Sequence, residues 1–259
     1  MNLHANPTRF IPAMATSEGA GVTVHRTIGT PALRNYDPFM MLDHFSSDNP
    51  DDYIAGFPSH PHRGFSTFTY MIDGRMEHQD SMGNTGNLGP GSGQWMKAGS
   101  GVIHSEMPRQ ENGLMRGFQL WINLPAANKM DVPEYQEYDS DAFPMIETSD
   151  YGIKIIIGHF ANETSPIVDD ITNVTYFDVQ VKAGKRFQHE LPAENNSFIY
   201  VFEGDGQLNG KNVPLNTLIV LGADDITLDF TAGEQGARFV VISGKPINED
   251  IVQYGPFVM

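Results

Sequence analysis

Residues 56–108 read GFPSHPHRGFSTFTYMIDGRMEHQDSMGNTGNLGPGSGQWMKAGSGVIHSEMP, and the reading of this stretch decides the fold. Two short pairs stand near its ends, His60-Pro61-His62 and His104-Ser105-Glu106. In an extended chain residues i and i+2 point to one face, so each pair aims two metal-binding side chains in a single direction. Between the pairs, Phe68, Tyr70 and Ile72 alternate as on a half-buried strand. Asp73-Gly74 is a two-residue hairpin signal that turns the chain back into RMEHQD. If the strands carrying the two pairs face each other inside a barrel, three imidazoles and one carboxylate converge. His60, His62, His104 and Glu106 are therefore the predicted metal ligands. The remaining histidines read differently, because a lone histidine is more often a surface or satisfied core residue. His44 falls in that class, His78 is expected to be exposed near the turn, and His159 and His189 are isolated. The run GNTGNLGPGSG supplies tight turns. It carries no GxGxxG or GKS pattern between a strand and a helix, so a nucleotide-phosphate loop is excluded.

The chain has 259 residues, enough for one large or two ordinary domains, and 40% of them are hydrophobic, so a substantial core is expected. Its 16 Lys and Arg stand against 32 Asp and Glu, a formal charge of −16. Such a surface repels phosphate backbones, and direct nucleic-acid binding is not expected. A protein partner with a basic patch is compatible with it. The absence of cysteine excludes disulfides, thiolate zinc sites, iron–sulfur clusters and thiol catalysis. The first 21 residues lack the basic and apolar regions of a signal peptide, and no stretch approaches the length of a membrane span. A cytoplasmic, monomeric protein with no membrane partner is the expectation.

In order, residues 1 to about 22 are polar and Gly/Ala-rich and read as an arm that packs late or stays loose. VTVHRTIGTP alternates as a strand does, and Asp-Pro and Asn-Pro breaks suggest loops around a short apolar piece, Phe39–Leu42. After the organising stretch, GLMRGFQLWINLP reads as a further strand. Residues 131–150 are acidic, proline-broken and unpatterned, which marks a crossover. The second half repeats the style of the first: short strands such as VTYFDVQV and ARFVVISG between Gly, Asn and Pro turns. No long amphipathic helix appears. This is an all-β chain of barrel or jelly-roll type. The expected domains are 1–130, binding the metal, and 151–259, lacking clustered ligands, with 131–150 between them.

Together these residues resemble the pirin family of bicupins. The resemblance runs from about Val24 onward and rests on RTIGTPALRNYDPFMMLDHF, AGFPSHPHRGFSTFTYMIDGRMEHQDSMGNTG, PGSGQWMKAGSGVIHSEMP and IVQYGPFVM. The spacing Gly93-x5-Gly99-x-Gly101-x2-His104 also fits the second cupin motif, with Gly99 where a proline is usual. The resemblance implies two tandem cupin (jelly-roll) barrels with one metal in the N-terminal barrel. By position its ligands fall on His60, His62, His104 and Glu106. Neither Ser66 nor Thr67 is the carboxylate that cupins in general place beyond H-x-H, so Glu106 must complete the set.

Three imidazoles and one carboxylate leave two positions open on a six-coordinate ion and favour Fe(2+), with Mn, Ni, Co or Zn suited to the same cage. The activity implied by the resemblance is a quercetin 2,4-dioxygenase, taking a flavonol-like aromatic substrate and dioxygen, with Glu106 as general base as well as ligand. Phe57, Trp95, Met96 and Met107 are candidate apolar walls. The alternative is a non-enzymatic, iron-dependent redox-sensing regulator or transcription cofactor acting through protein partners. A cupin-type sugar isomerase is disfavoured, because no Lys/Arg cluster for a phosphate lies near the motif.

Overall fold

Alternating β-branched and aromatic residues leave the backbone little choice but the extended state. In the computed structural model, which describes residues 8–222 and 227–259, every long element is a strand. The only helical pieces among the described residues are three single 3-10 turns. The first strands are β1 (Arg9–Pro12), β2 (Met14–Glu18), β3 (Val22–Arg26) and β4 (Phe39–Ser47). The organising stretch forms β5 (Phe57–His62), β6 (Phe65–Asp73), β7 (Met76–Asp80), β8 (Thr85–Leu88), β9 (Gly93–Lys97) and β10 (Val102–Pro108). They are followed by β11 (Met115–Asn123) and β12 (Glu134–Tyr138). The expectation of an all-β chain with two cupin barrels is met.

Packing divides the chain into two units that exchange their ends. One comprises Met14–Ala142 with Ile247–Met259; the other comprises Phe143–Pro246 with the described residues up to Ala13. The second unit holds a large antiparallel sheet in which β1 pairs with Thr217–Val220. Its hydrophobic core is built on Phe177, Ile199, Val201, Phe230 and Phe239. The arm, expected to pack late or stay loose, is packed as strand at Arg9–Pro12 and Met14–Glu18, and its first seven residues lie outside the described ones.

The first unit is built of two sheets, in strand order β12-β9-β6-β11-β4-β3-β2 and β5-β10-β7-β8. The turn at Asp73-Gly74 exists, with Gly74 at φ +84°, but it makes no hairpin. β6 lies between β9 and β11, while β7 lies between β10 and β8, so the turn carries the chain from one sheet to the other. β4 runs further than its apolar piece. Asp43 is carried inside by a bidentate pair with Arg26 at 2.6 and 2.7 Å, and His44 by stacking on Phe118 at 4.7 Å. Within the unpatterned 131–150 segment, β12 docks on the edge strand β9, Tyr135 opposite Met96. Edge pairing needs only backbone groups, so it leaves no apolar signature.

The last residues complete this unit. The Arg63 amide donates to the Pro256 carbonyl and the Val258 amide to the Arg63 carbonyl. Val258 is fully buried against Met40 and Phe65. Gly64, at φ +84°, permits this approach, since a Cβ there would stand 1.8 Å from the Val258 carbonyl oxygen. No helix among the described residues is long and apolar enough to cross a membrane.

Candidate metal centre

β5 and β10 are hydrogen-bonded neighbours, not strands opposed across a barrel. Their register sets His104 opposite His60 and Val102 opposite His62, with an irregularity between His104 and Glu106. Directly paired residues share a face. His60, His62 and His104 accordingly bring ring nitrogens within 4.8 Å of one another. The Nδ1 of His60 lies 2.8 Å from the Pro58 carbonyl oxygen, which can only accept, so Nδ1 carries a proton and Nε2 is the nitrogen through which the neutral ring would coordinate. That Nε2 stands 3.1 Å from the Nε2 of His104. Two nitrogens each about 2.1 Å from one ion and at right angles to each other stand about 3.0 Å apart. His62 adds a buried Nδ1 without a hydrogen-bond partner. Burial, reinforced by the neighbouring imidazoles, lowers both His62 and His104 to about 2, so both rings are neutral and ready to coordinate. The three histidines fit a divalent ion.

Glu106 belongs to an overlapping group, with His104 and His78. Its carboxylate is buried and held by three donors from the facing sheet. Thr69 Oγ1 and Gln94 Nε2 reach Oε1 at 2.8 and 3.2 Å, and Gln119 Nε2 reaches Oε2 at 2.9 Å. Gln94, Thr69 and Gln119 are successive cross-strand partners on β9, β6 and β11. The same row continues to Asp43 on β4 and Arg26 on β3. One register line thus carries a polar residue on each of β9, β6, β11, β4 and β3. Oε2, with a single donor, retains the free acceptor capacity that a ligand or base needs.

His78, expected to be exposed, is fully buried. It lies opposite Glu106 on β7, stacks on Tyr135 at 4.5 Å, and sets its Nε2 3.2 Å from Asp80 Oδ2. Gly86 makes room for this arrangement; a Cβ there would fall 2.0 Å from the Tyr135 hydroxyl. His78-Gln79-Asp80 is a third i, i+2 pair of ligand-type residues, and that spacing was the signal available in the sequence. His159 instead meets the Thr164 hydroxyl at 2.9 Å, and His189 packs against Phe160. Both groups of convergent ligand-type side chains among the described residues lie in the first unit.

A cavity of about 1110 Å³ opens onto His60, His62 and Glu106. Phe57 lines it as expected; Trp95, Met96 and Met107 do not, and Met40, Met41, Phe45 and Trp121 take their place. The Arg26–Asp43 pair, joined by Glu18 at 2.7 Å from Arg26, forms a polar stretch of the wall.

The profile of the family described as Pirin matches residues 21–122, and that of the Pirin C-terminal cupin domain matches residues 176–259. A Pseudomonas aeruginosa protein provisionally named a quercetin 2,3-dioxygenase is 47% identical over 253 residues, 94% of this chain and 87% of its own. A pirin-like protein of Caulobacter vibrioides is 43% identical, over 97% of this chain and 91% of its own. Among solved structures, a quercetin 2,3-dioxygenase from Acinetobacter baumannii superposes with a TM-score of 0.89 at 28% identity, covering 99% of this chain and 91% of that one.

Proposed function

This chain belongs to the pirin family, and on that premise we propose that it is a metal-dependent dioxygenase of flavonol-like aromatics. The observation that carries the reading is the placement of His60, His62 and Glu106 on the wall of a cavity that Met40, Met41, Phe45, Phe57 and Trp121 also line. His60, His62 and His104 hold the ion, and Glu106 completes the set from the side of His104. Bound there, Fe(2+) supplies Lewis-acid polarisation of a phenolic oxygen and redox access to dioxygen; Mn, Ni, Co and Zn suit the same donors. Everything else is the work of the protein. Phe57 and Trp121 flank a planar ring and exclude water from it. Glu106 takes the proton of the hydroxyl, and the Gln94–Thr69–Gln119 row fixes the carboxylate so that Oε2 faces the substrate. The names of the relatives support a quercetin-type substrate.

Oxygen uptake by iron-loaded protein given quercetin tests the reading. Turnover is expected, and its absence across flavonols overturns it. Release of carbon monoxide marks ring cleavage in which the bonds on both sides of carbon 3 break and the two dioxygen atoms end on carbons 2 and 4. The net charge of −16 favours a second reading, a regulator whose iron oxidation state governs capture of a basic protein partner. Capture that depends on oxidation state, without turnover, distinguishes it.

A further inference from the structure

Glu18, Arg26 and Asp43 line the same cavity as His60, His62 and Glu106. We propose that these three charged residues form a second recognition point, which takes the phenolic hydroxyls on the ring of an aromatic substrate remote from the metal end. The inference rests on the reading above that the cavity accepts a flavonol-like aromatic, and it adds which part of that molecule the protein selects.

Strand register sets the distances. Gln119 on β11 holds Glu106 and pairs with Asp43 on β4, which in turn pairs with Arg26 on β3. Residues two apart on a strand share a face. Trp121 and its partner Met41 therefore form the next row beside Gln119 and Asp43, and both line the cavity. On the other side Phe45, two residues from Asp43, and Val24, two from Arg26, belong to one apolar cluster and line it as well. The charges thus sit between two apolar rows. Neighbouring strands lie about 4.8 Å apart, which puts the Arg26 backbone roughly 10 Å from that of Gln119. The guanidinium leans back over Asp43, within that distance. A two-ring aromatic with its enol hydroxyl at Glu106 spans the gap while its rings lie on Trp121 and Met41.

Donors and acceptors alternate on this surface. Of the five N–H groups of Arg26, Nε and one on Nη2 bond Asp43 at 2.7 and 2.6 Å, and one on Nη1 meets Glu18 at 2.7 Å. Two N–H remain, one on each terminal nitrogen, and both carboxylates keep lone pairs beyond those that Arg26 uses. A clamp between β3 and β4 needs only Asp43; Glu18 on β2 and the two remaining N–H are surplus to it. A hydroxyl gives its proton to a carboxylate and takes one from the guanidinium, so adjacent hydroxyls match the alternation. A carboxylate ligand fits worse, because it meets one positive group and two negative ones. The side chains of Arg26 and Asp43 are only 17% and 5% exposed, so these bonds form largely out of bulk water, where they discriminate most.

The test is equilibrium binding to zinc-loaded protein, read by quenching of tryptophan fluorescence; zinc supplies no redox chemistry and leaves the ligand unconsumed. The probes are flavonols carrying none, one or two hydroxyls on the remote ring, quercetin being the last. Affinity is expected to rise about 10–100-fold from none to two, as hydrogen bonds to charged groups allow. Apolar walls alone would give the opposite trend, because each hydroxyl makes the ligand more polar. Replacing both members of a buried ion pair by apolar residues is far better tolerated than removing one. In the double variant Arg26→Met, Asp43→Leu the rise should vanish. If that protein fails to fold, Glu18→Ala changes a half-exposed residue and should cut the rise several-fold. Equal wild-type affinity for the three flavonols overturns the proposal, and so does an undiminished rise in either folded variant. Tighter binding of a flavonol with a remote carboxylate overturns it too, by making Arg26 an anion site. Zinc-loaded wild type that binds none of the three sinks the flavonol reading and this inference with it, whereas equal binding of all three leaves that reading standing.

Discussion

Gln119 Nε2 donates to Glu106 Oε2 across 2.9 Å, from β11 to β10, so the two sheets of the first unit are joined at the carboxylate assigned to chemistry. The bond orients the group, and it also constrains any replacement. Glu106→Gln keeps the shape, but its amide N–H2 faces a donor whichever oxygen it replaces: Gln119 at the place of Oε2, Gln94 and Thr69 at that of Oε1. We expect the fold to survive with weakened metal binding, and flavonol turnover to fall roughly 10²–10⁴-fold, the usual worth of a general base. Part of the loss should return at higher pH, where the flavonol ionises unaided. Wild-type turnover in metal-matched samples would remove Glu106 from the role of base.

Metal content should be near one ion per chain. His104→Ala should abolish it, whereas His159→Ala and His189→Ala, which change residues tied to Thr164 and Phe160, should leave it intact. Elemental analysis of the purified variants checks this; a second ion lost on changing His189 would contradict it.

Burial, with smaller contributions from His25 and Arg116, lowers His44 from 6.5 to about 3. The folded pKa lies below the unfolded one, so the unfolded chain binds a proton between those values and the native chain does not. Stability is therefore lost as pH falls from about 6.5 toward 3, by up to about 5 kcal/mol from this residue. His44→Phe, which keeps a ring beside Phe118, should flatten the acid limb of urea-unfolding stability by up to about 1.4 kcal/mol per pH unit. An unchanged slope would mean that His44 is protonated in the fold.

Gly64→Ala should force the tail off. The left-handed φ of +84° and the clash with the Val258 carbonyl act together, and we expect a loss of about 2–4 kcal/mol. Hydrogen exchange at residues 252–259 should rise most, and protection there equal to wild type would disprove the docking.

The sequence disclosed the convergent ligand-type pairs because alternation on one strand is local. His60 and His62 need only each other to be seen, and so do His104 and Glu106. His78 and Asp80 had the same spacing but were misjudged. A turn at Asp73-Gly74 fixes where the chain bends, not which sheet the next strand joins. The row of Gln94, Thr69 and Gln119 was illegible for a related reason: its members are unremarkable singly and acquire a role only when cross-strand register aligns them. Register between distant strands is set by packing that no window of sequence contains. The pairing of Arg9–Pro12 with Thr217–Val220 is hidden in the same way.

The exchange of ends between the two units also sets a schedule for biosynthesis. On the ribosome, Met14–Ala142 emerges with its histidines complete, yet Ile247–Met259, which supplies Gln253 and Pro256 to the cavity wall, is still unmade. Roughly a hundred residues must be added first, a delay of about 5–20 s at ordinary elongation rates. During that interval the nascent barrel presents His60, His62 and Glu106 behind an unfinished wall. The cavity takes its final shape only after Gln253, Gly255 and Pro256 have been added.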